Sequence, residues 1–256
     1  MLDIGEDERA SAVSIQSHSS RGRAASFPRA RMSLALGGTR TPTEPDEVAI
    51  SLGTTMFHGP AGRIEGIYRP GRPEARRSAV VCHPHPLHGG TMHNKVVYRA
   101  AKAFEWMGWP VLRFNFRGVG SSEGSFADGI GEADDVAAAI DWLAAQDAGA
   151  APVVVGFSFG NAVGLPVGAE DPRVTHLVGI GTPTESFDFD ALAGTTKPKL
   201  FVQGDRDEHG SLENLRKGLE RVAKPWKLVV VEDADHFFEG RLEALQQAIV
   251  DFLDTA

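Results

Sequence analysis

Short apolar runs alternate with amphipathic stretches along most of the chain. Ala79–Cys82 is apolar at every position, which is typical of a strand that is covered on both faces. Lys95–Met107 and Ile130–Gln146 instead repeat their apolar residues at helical spacing. Further strands are predicted at Val111–Phe116, Val153–Phe157, Val174–Ile180, Leu200–Gln203 and Lys227–Val231, and further helices from about Asn161, at Leu212–Val222 and at Arg241–Leu253. Strands that alternate with helices predict an α/β fold, a mainly parallel sheet with helices on both faces.

The first structured part of the chain has a different pattern. Val48–Leu52 and Arg63–Tyr68 flank Gly59–Gly62, a turn sequence that contains one proline. Two extended stretches around such a turn predict an antiparallel hairpin at the N-terminal side of the sheet.

Residues 1–45 show no sustained apolar period and are rich in Ser, Arg, Gly and Thr. Such a segment cannot bury enough apolar surface to offset its loss of conformational entropy, so we predict a disordered tail. A mis-assigned translation start, with Met32 as the true first residue, is the alternative. We expect residues 46–256 to form a single catalytic domain.

Composition excludes several classes of protein. The formal net charge of −8 argues against a nucleic-acid partner, which would require a basic surface. No apolar run approaches the roughly 20 residues that span a bilayer, so no membrane partner is expected. A single cysteine, Cys82, favours a reducing compartment, and its thiol is expected to be a small buried apolar group. The chain is therefore expected to be cytoplasmic, and its oligomeric state stays open.

The most informative stretch is Val153–Asn161, which consists of an apolar strand, then Gly-x-Ser-x-Gly, then the start of a helix. A serine at a sharp strand-to-helix turn has a strained backbone and an exposed hydroxyl, the geometry of a nucleophile elbow. Glycines on either side allow the strand and helix to approach closely. Ser158 is therefore the candidate nucleophile, and a Gly/Ser-rich loop without chemistry is the alternative.

A serine hydroxyl becomes a good nucleophile when a base takes its proton and an acid orients that base. His236 follows the last predicted strand, and Asp207 follows the strand Leu200–Gln203. Each lies just past the carboxyl end of a strand, where open α/β sheets place their sites. We predict His236 as the base and Asp207 as the acid. The alternative acids, in order, are Asp205 and then Asp188 or Asp190.

An oxyanion needs two backbone N–H donors. One is expected from Phe159, the residue after the nucleophile. The other is expected from the loop after Cys82, where Pro84 and Pro86 have no N–H. His85 is therefore the predicted donor, with Leu87 as the substitute.

Four histidines lie close together in this loop, at positions 83, 85, 88 and 93. Imidazoles suit zinc, but no cysteine or glutamate completes a ligand set at standard spacing. We expect these rings to orient the loop by hydrogen bonding and expect neither a metal nor another cofactor.

Several motifs resemble the α/β-hydrolase superfamily, over roughly Val48 to Ala256. His83–Pro86 with Gly89-Gly90 and Asn94–Val97, together with Asn115–Ser122, is similar to a small bacterial subgroup of predicted hydrolases or esterases related to dienelactone hydrolases. The resemblance implies a catalytic triad of Ser158, Asp207 and His236, and oxyanion donors at Phe159 and His85. The chain departs from the subgroup at Glu208-His209-Gly210, where relatives have an apolar pair and Pro.

Only about twenty residues, Gly181–Lys199, separate the two strands between which many superfamily members carry a lid. We therefore predict no lid domain and a shallow cleft that takes a small-molecule acyl ester. Residues that either line this cleft or belong to the core are Phe157, Phe159, Phe187 and Phe237. The predicted function is a serine esterase. The alternatives are a peptidase or acyl-peptide hydrolase, and a non-catalytic binding protein on the same fold.

Overall fold

The computed structural model describes residues 53–254, which form one mixed sheet with helices on both faces. The eight strands are β1 (Thr54–Gly59), β2 (Gly62–Arg69), β3 (Arg77–Cys82), β4 (Val111–Phe114), β5 (Ala151–Phe157), β6 (His176–Ile180), β7 (Lys199–Gly204) and β8 (Trp226–Val231). The five α-helices are α1 (Lys95–Met107), α2 (Ile130–Gln146), α3 (Phe159–Glu170), α4 (Leu212–Leu219) and α5 (Leu242–Asp254).

The sheet has the strand order β1-β2-β4-β3-β5-β6-β7-β8. β1 and β2 form an antiparallel hairpin in which Gly59 pairs with Gly62, and β2 runs antiparallel to β4. All other neighbours are parallel. The predicted fold class is confirmed, and so is an antiparallel hairpin around Gly59–Gly62, but its first strand is Thr54–Gly59 rather than the predicted Val48–Leu52. The first predicted hairpin strand, Val48–Leu52, lies outside the described residues, and so does the predicted tail of residues 1–45.

Alternation along the central strands explains why the helices cover both faces. Ala79 and Val81 of β3 pack in one buried cluster with α1 and α5, whereas Val80 and Cys82 pack in a second cluster with α2, α3 and α4. A strand with apolar side chains on both faces is stable only between two layers of helices. The central strands are therefore rigid supports for the loops at their carboxyl ends.

Several predicted bounds differ from the structure by a few residues, among them the start of β6 and the end of α4. Two of the differences have identifiable reasons. β4 ends at Phe114, two residues early, because the chain leaves the sheet there and Phe116 N–H donates to the His83 ring. α3 begins at Phe159 rather than near Asn161, because Ser158 is already its N-cap.

The segment between β6 and β7 is short. It contains one 3₁₀ turn, Phe189–Leu192, and no inserted lid domain. Within residues 53–254, no helix combines the length and the apolar character that crossing a membrane would require.

Candidate active site

Ser158 lies at the turn from β5 into α3 and has a strained backbone, with φ 54° and ψ −118°. A positive φ is unusual for a residue with a side chain and costs of order 1–3 kcal/mol. Two contacts help to hold the turn: Ser158 N–H donates to the Ile180 carbonyl at 3.0 Å, and Asn161 N–H donates to the Ser158 carbonyl at 2.9 Å. Strain that is retained in this way is typical of functional sites and is unusual for an ordinary loop serine.

The glycines around Ser158 are required by close contacts. A Cβ at Gly156 would lie 2.3 Å from the Gly160 carbonyl oxygen, inside the turn itself. A Cβ at Gly160 would lie 2.4 Å from the Cys82 carbonyl oxygen and 2.6 Å from that of His83. The second contact places the start of α3 directly against the chain that leaves β3. The elbow and the histidine-rich loop are thus packed together at backbone distance.

His236 and Asp207 are brought together at the ends of β8 and β7. The His236 Nδ1 lies 2.9 Å from both carboxylate oxygens of Asp207. Both side chains are almost fully buried, at 3% and 0% exposure. A buried carboxylate on Nδ1 fixes the imidazole so that its other nitrogen, Nε2, is the one available to a neighbour.

Within residues 53–254, every other hydrogen-bond partner of the Asp207 carboxylate is a donor. Oδ1 accepts from the backbone N–H groups of His209 and Gly210, at 2.8 and 3.1 Å, and Oδ2 accepts from the Gln203 amide at 2.8 Å. The loop Glu208-His209-Gly210, where the chain departs from the subgroup, therefore supports the carboxylate through its backbone. Gly210 is needed there because a Cβ would lie 2.0 Å from the Thr182 carbonyl oxygen.

The alternative acids do not bond to His236. Asp190 pairs with Arg221 at the surface, and Asp188 caps the 3₁₀ turn by accepting from Asp190 N–H. Asp205 is exposed and bonds through its backbone N–H to β8. Among the acids named from the sequence, the structure brings Asp207 to the imidazole.

The imidazole of His236 is enclosed by three rings. Phe157, the residue before Ser158, lies with its ring centroid 5.0 Å away, and the rings of His209 and Phe237 lie at 4.5 and 5.3 Å, roughly perpendicular. Imidazole atoms also lie 3.2 and 3.3 Å from the place of a Cβ on Gly181. His236 is therefore packed over the segment to which the Ser158 backbone bonds.

Within the described part of the chain, no hydrogen bond joins the Ser158 hydroxyl to His236. Such a bond is often open in a site without substrate and closes in the reacting complex.

The backbone N–H groups of His85 and Phe159 have no hydrogen-bond partner among the described residues. The Leu87 N–H is occupied, because it donates to the Nδ1 of His85 at 3.2 Å. The rings of His85 and Phe159 are in contact, with centroids 4.9 Å apart. Of the two candidates from the loop, the geometry favours His85.

The side chain of His83 stabilises the loop after β3 through two hydrogen bonds. Its Nε2 accepts from Phe116 N–H at 3.0 Å, so Nδ1 carries the proton and donates to the Pro84 carbonyl at 2.6 Å. Burial lowers the pKa of His83 to about 4 and outweighs the opposing effect of the Pro84 bond. His83 is therefore neutral, and it links the loop after β3 to the end of β4 by hydrogen bonding, as expected.

The four phenylalanines named from the sequence divide between core and cleft. Phe157 and Phe187 are buried, and Phe187 packs against Phe189 and Phe201 in the core. Phe159 is half-buried and Phe237 is exposed, so these two contribute to the open surface.

Cys82 is fully buried, as expected, and burial raises the pKa of its thiol. In residues 53–254, no three His, Cys, Asp or Glu side chains are grouped so that they could hold a metal ion.

Sequence reasoning missed Gln203, whose side chain contacts the candidate acid. One signal was available: Gln203 is a polar residue in the otherwise apolar second half of β7. A polar side chain buried at the carboxyl end of a central strand requires hydrogen-bonding partners, which here belong to the site.

The chain is similar in sequence to known proteins. The family model of X-Pro dipeptidyl-peptidases (S15 family) matches residues 65–186. An uncharacterized protein of Rickettsia prowazekii is 38% identical, over 78% of this chain and 87% of that protein.

Solved structures show the same architecture. An α/β serine hydrolase homologue from Coxiella burnetii is 36% identical with a TM-score of 0.75, over 81% of this chain and all of that one (100%). An α/β serine hydrolase without a lid from Xanthomonas campestris is 35% identical, with a TM-score of 0.72. The match covers 84% of this chain and 97% of that one. Est1E of Butyrivibrio proteoclasticus, solved with ferulic acid bound, shares the fold alone. It is 17% identical, with a TM-score of 0.69, and the match covers 78% of this chain and 98% of that one.

The chain belongs to the α/β-hydrolase family. Its fold and its relatives define it as a hydrolase of the kind without a lid.

Proposed function

We propose that the protein is a serine hydrolase that cleaves small carboxylic esters through an acyl-enzyme intermediate. Ser158 attacks the ester carbonyl, and His236 accepts the hydroxyl proton and returns it to the leaving alcohol. Asp207 holds the imidazole in the required tautomer and stabilises the imidazolium. Water then attacks the acyl group with His236 as base, which releases the acid and restores Ser158.

The observation that carries the proposal is the combination of a strained Ser158 with a buried carboxylate–imidazole pair at the same edge of the sheet. A structural serine has no need of positive φ, and a surface histidine has no need of a fully buried carboxylate. The imidazole also packs on Phe157, next to the serine in the chain. These features together suit nucleophilic catalysis.

Stabilisation of the oxyanion is proposed for the backbone N–H groups of Phe159 and His85. Both are free of protein partners among the described residues, and their rings are in contact. Pre-oriented donors of this type act on the charge that develops in the transition state and contribute about 3–4 kcal/mol each.

The open surface favours short acyl groups. The segment between β6 and β7 forms no lid, and Phe237 and Leu87 are exposed near the site. An open cleft offers little surface to bury a long acyl chain, so small esters are the substrates that we propose.

Covalent labelling with a fluorophosphonate probe tests the nucleophile. We expect labelling of the wild-type protein at Ser158 and none of the Ser158→Ala variant, with kcat/KM for p-nitrophenyl acetate lowered roughly 10³-fold or more. Ser186→Ala is the matched control, because this exposed serine bonds only to its own loop. Equal labelling of the wild-type protein and Ser158→Ala would refute the assignment.

A peptidase is the second candidate, and the match of residues 65–186 to the S15 family favours it. The same groups would serve, but His236 would have to protonate an amine leaving group. Parallel assays of p-nitrophenyl esters and p-nitroanilides of the same acyl group separate the two. Turnover of the anilides at rates comparable with the esters would favour the peptidase.

A further inference from the structure

A fully buried amide, Gln203, lies at the centre of the hydrogen bonds around Asp207. Its Nε2 donates to Asp207 Oδ2 at 2.8 Å and to the Gly210 carbonyl at 2.9 Å. Its Oε1 accepts from Thr182 N–H at 2.7 Å. Two oxygens face one end of the amide and an N–H faces the other, so only this orientation satisfies all three bonds.

We propose that Gln203 is a positioning residue for catalysis, which fixes the plane of the Asp207 carboxylate toward His236. This inference rests on the proposed function of Ser158, Asp207 and His236. Gln203 contacts neither the substrate nor the reacting atoms, and it acts through the carboxylate alone.

Gln203 can fix the plane of the Asp207 carboxylate because the two carboxylate oxygens have different hydrogen-bond donors. Oδ1 has two backbone donors, from His209 and Gly210, whereas Gln203 is the only donor to Oδ2 besides the imidazole among residues 53–254. With Gln203 in place, His236 Nδ1 is equally distant from both oxygens. Without its amide, Oδ2 would be free to turn away and the orientation of the imidazole would be less defined.

Hydrogen bonds of the Gln203 amide also connect the loop that carries Asp207 to the strand-to-helix turn at Ser158. Asn161, three residues after Ser158 on α3, donates through Nδ2 to the Thr182 hydroxyl at 2.9 Å, and Thr182 N–H donates to Gln203. All three residues are fully buried. A chain of hydrogen bonds therefore runs from the elbow helix through Gln203 to the carboxylate, and it sets the relative positions of nucleophile and acid.

A purely structural amide would affect folding stability but not the proton chemistry of His236. Gln203→Leu removes both donors at similar volume. Gln203→Glu keeps the shape but adds a carboxyl group beside Asp207. Two buried carboxyl groups at this distance share one proton, so the new carboxyl group stays protonated toward Asp207 until its raised pKa is passed. Its ionisation then favours the imidazolium form of His236, so the ascending limb of the pH–rate profile should broaden and extend to higher pH. Glu208, His209 and Asp235 are further titratable groups near His236, and they are unchanged in both variants.

The experiment measures three quantities in wild type, Gln203→Leu, Gln203→Glu and the control Ser78→Ala. They are the rate of fluorophosphonate labelling as a function of pH, kcat and KM for p-nitrophenyl acetate, and the far-downfield proton resonance of an imidazole N–H bonded to a carboxylate. Ser78→Ala also removes a buried side-chain hydrogen bond, to the Ala150 carbonyl at the opposite edge of the sheet.

We expect Gln203→Leu to lower kcat and the labelling rate by about 10- to 100-fold with little change in KM, and to shift or broaden the downfield resonance. We expect the ascending limb of Gln203→Glu to broaden and to extend to higher pH than in the wild type. Ser78→Ala should leave kcat, the labelling rate, the downfield resonance and the pH profile at their wild-type values.

Wild-type kcat and an unchanged resonance in Gln203→Leu would overturn the inference, as would a loss no greater than that in Ser78→Ala. If Gln203→Leu fails to fold, Gln203→Glu decides alone, and an unshifted pH profile counts against the proposal. Absence of labelling in the wild type would instead refute the proposed function, so the two failures are distinguishable.

Discussion

The two sides of the candidate active site are held by different interactions. On the acid–base side, at the ends of β7 and β8, the Asp207 carboxylate is fixed entirely by hydrogen-bond donors. On the proposed oxyanion side, at the ends of β3 and β5, the positions of the two proposed N–H donors depend on backbone contact at Gly160, on a neutral His83 and on ring packing. Activity should therefore be sensitive to changes of charge on the acid–base side and to changes of shape on the oxyanion side.

This difference determines which substitutions each side should tolerate. A change that keeps shape but alters the pattern of donors should damage the acid–base side. A change that keeps polarity but adds one carbon should damage the oxyanion side.

The largest effect is expected from Asp207→Asn. The amide has nearly the shape of the carboxylate, but its NH₂ must face another donor, because all neighbours of Asp207 donate. We expect kcat to fall about 10³- to 10⁴-fold, as the imidazole loses its partner, and the free energy of unfolding to fall by about 1–3 kcal/mol. Steady-state kinetics and urea denaturation measure the two effects.

Asp205→Asn is the matched control, two residues earlier and exposed. An equal loss in both variants, or a loss below about tenfold in Asp207→Asn, would contradict a charge-dependent acid–base side.

Gly160→Ala should have the next largest effect. Its new Cβ would lie 2.4 Å from the Cys82 carbonyl oxygen, so α3 must move away from the loop after β3. A displacement of this kind separates the two N–H groups proposed as oxyanion donors, and we expect the labelling rate to fall about 10²-fold. Overpacking should also lower the free energy of unfolding by about 1–3 kcal/mol. Gly194→Ala is the control, because nothing lies within 4 Å of a Cβ at that position.

The two sides also differ in how far they could be predicted. Asp207 and His236 were identified because each follows a strand, and carboxyl ends of parallel strands meet at one edge; the structure brings them into contact. The bounds of α1 and α2 were predicted because helical periodicity defines them. The contacts of Gln203 and the packing of His85 on Phe159 depend on rotamers and loop paths, which periodicity does not encode. The catalytic roles of all these residues stay a proposal.

Acid should weaken the oxyanion side through His83. Its pKa is about 4 in the folded protein, against an ordinary value of about 6.5, so the unfolded chain binds the extra proton between these values. The free energy of unfolding is therefore expected to fall as the pH drops from 6.5 toward 4, by roughly 2 kcal/mol for this group at pH 4.5.

His176, at the start of β6 and far along the sheet from the site, has a pKa lowered to about 4 by burial and by Arg77, so its contribution must be separated. Urea midpoints at pH 7 and pH 4.5 in wild type and His176→Leu achieve this. The variant should keep about half of the wild-type pH dependence. A midpoint that does not change with pH in His176→Leu would show that His83 is not held neutral.

The smallest effect is expected from His85→Ala, which keeps the backbone N–H but removes the ring between His88 and Phe159. A ring contact contributes about 0.5–1.5 kcal/mol. If all of it served to orient the donor, the labelling rate would fall about two- to tenfold. Urea stability should change little, since the ring is only partly buried. His88→Ala removes the exposed outer ring of the same stack and should cost less. An equal loss in both variants would mean that the stack as a whole, and not its contact with the elbow, positions the oxyanion donor.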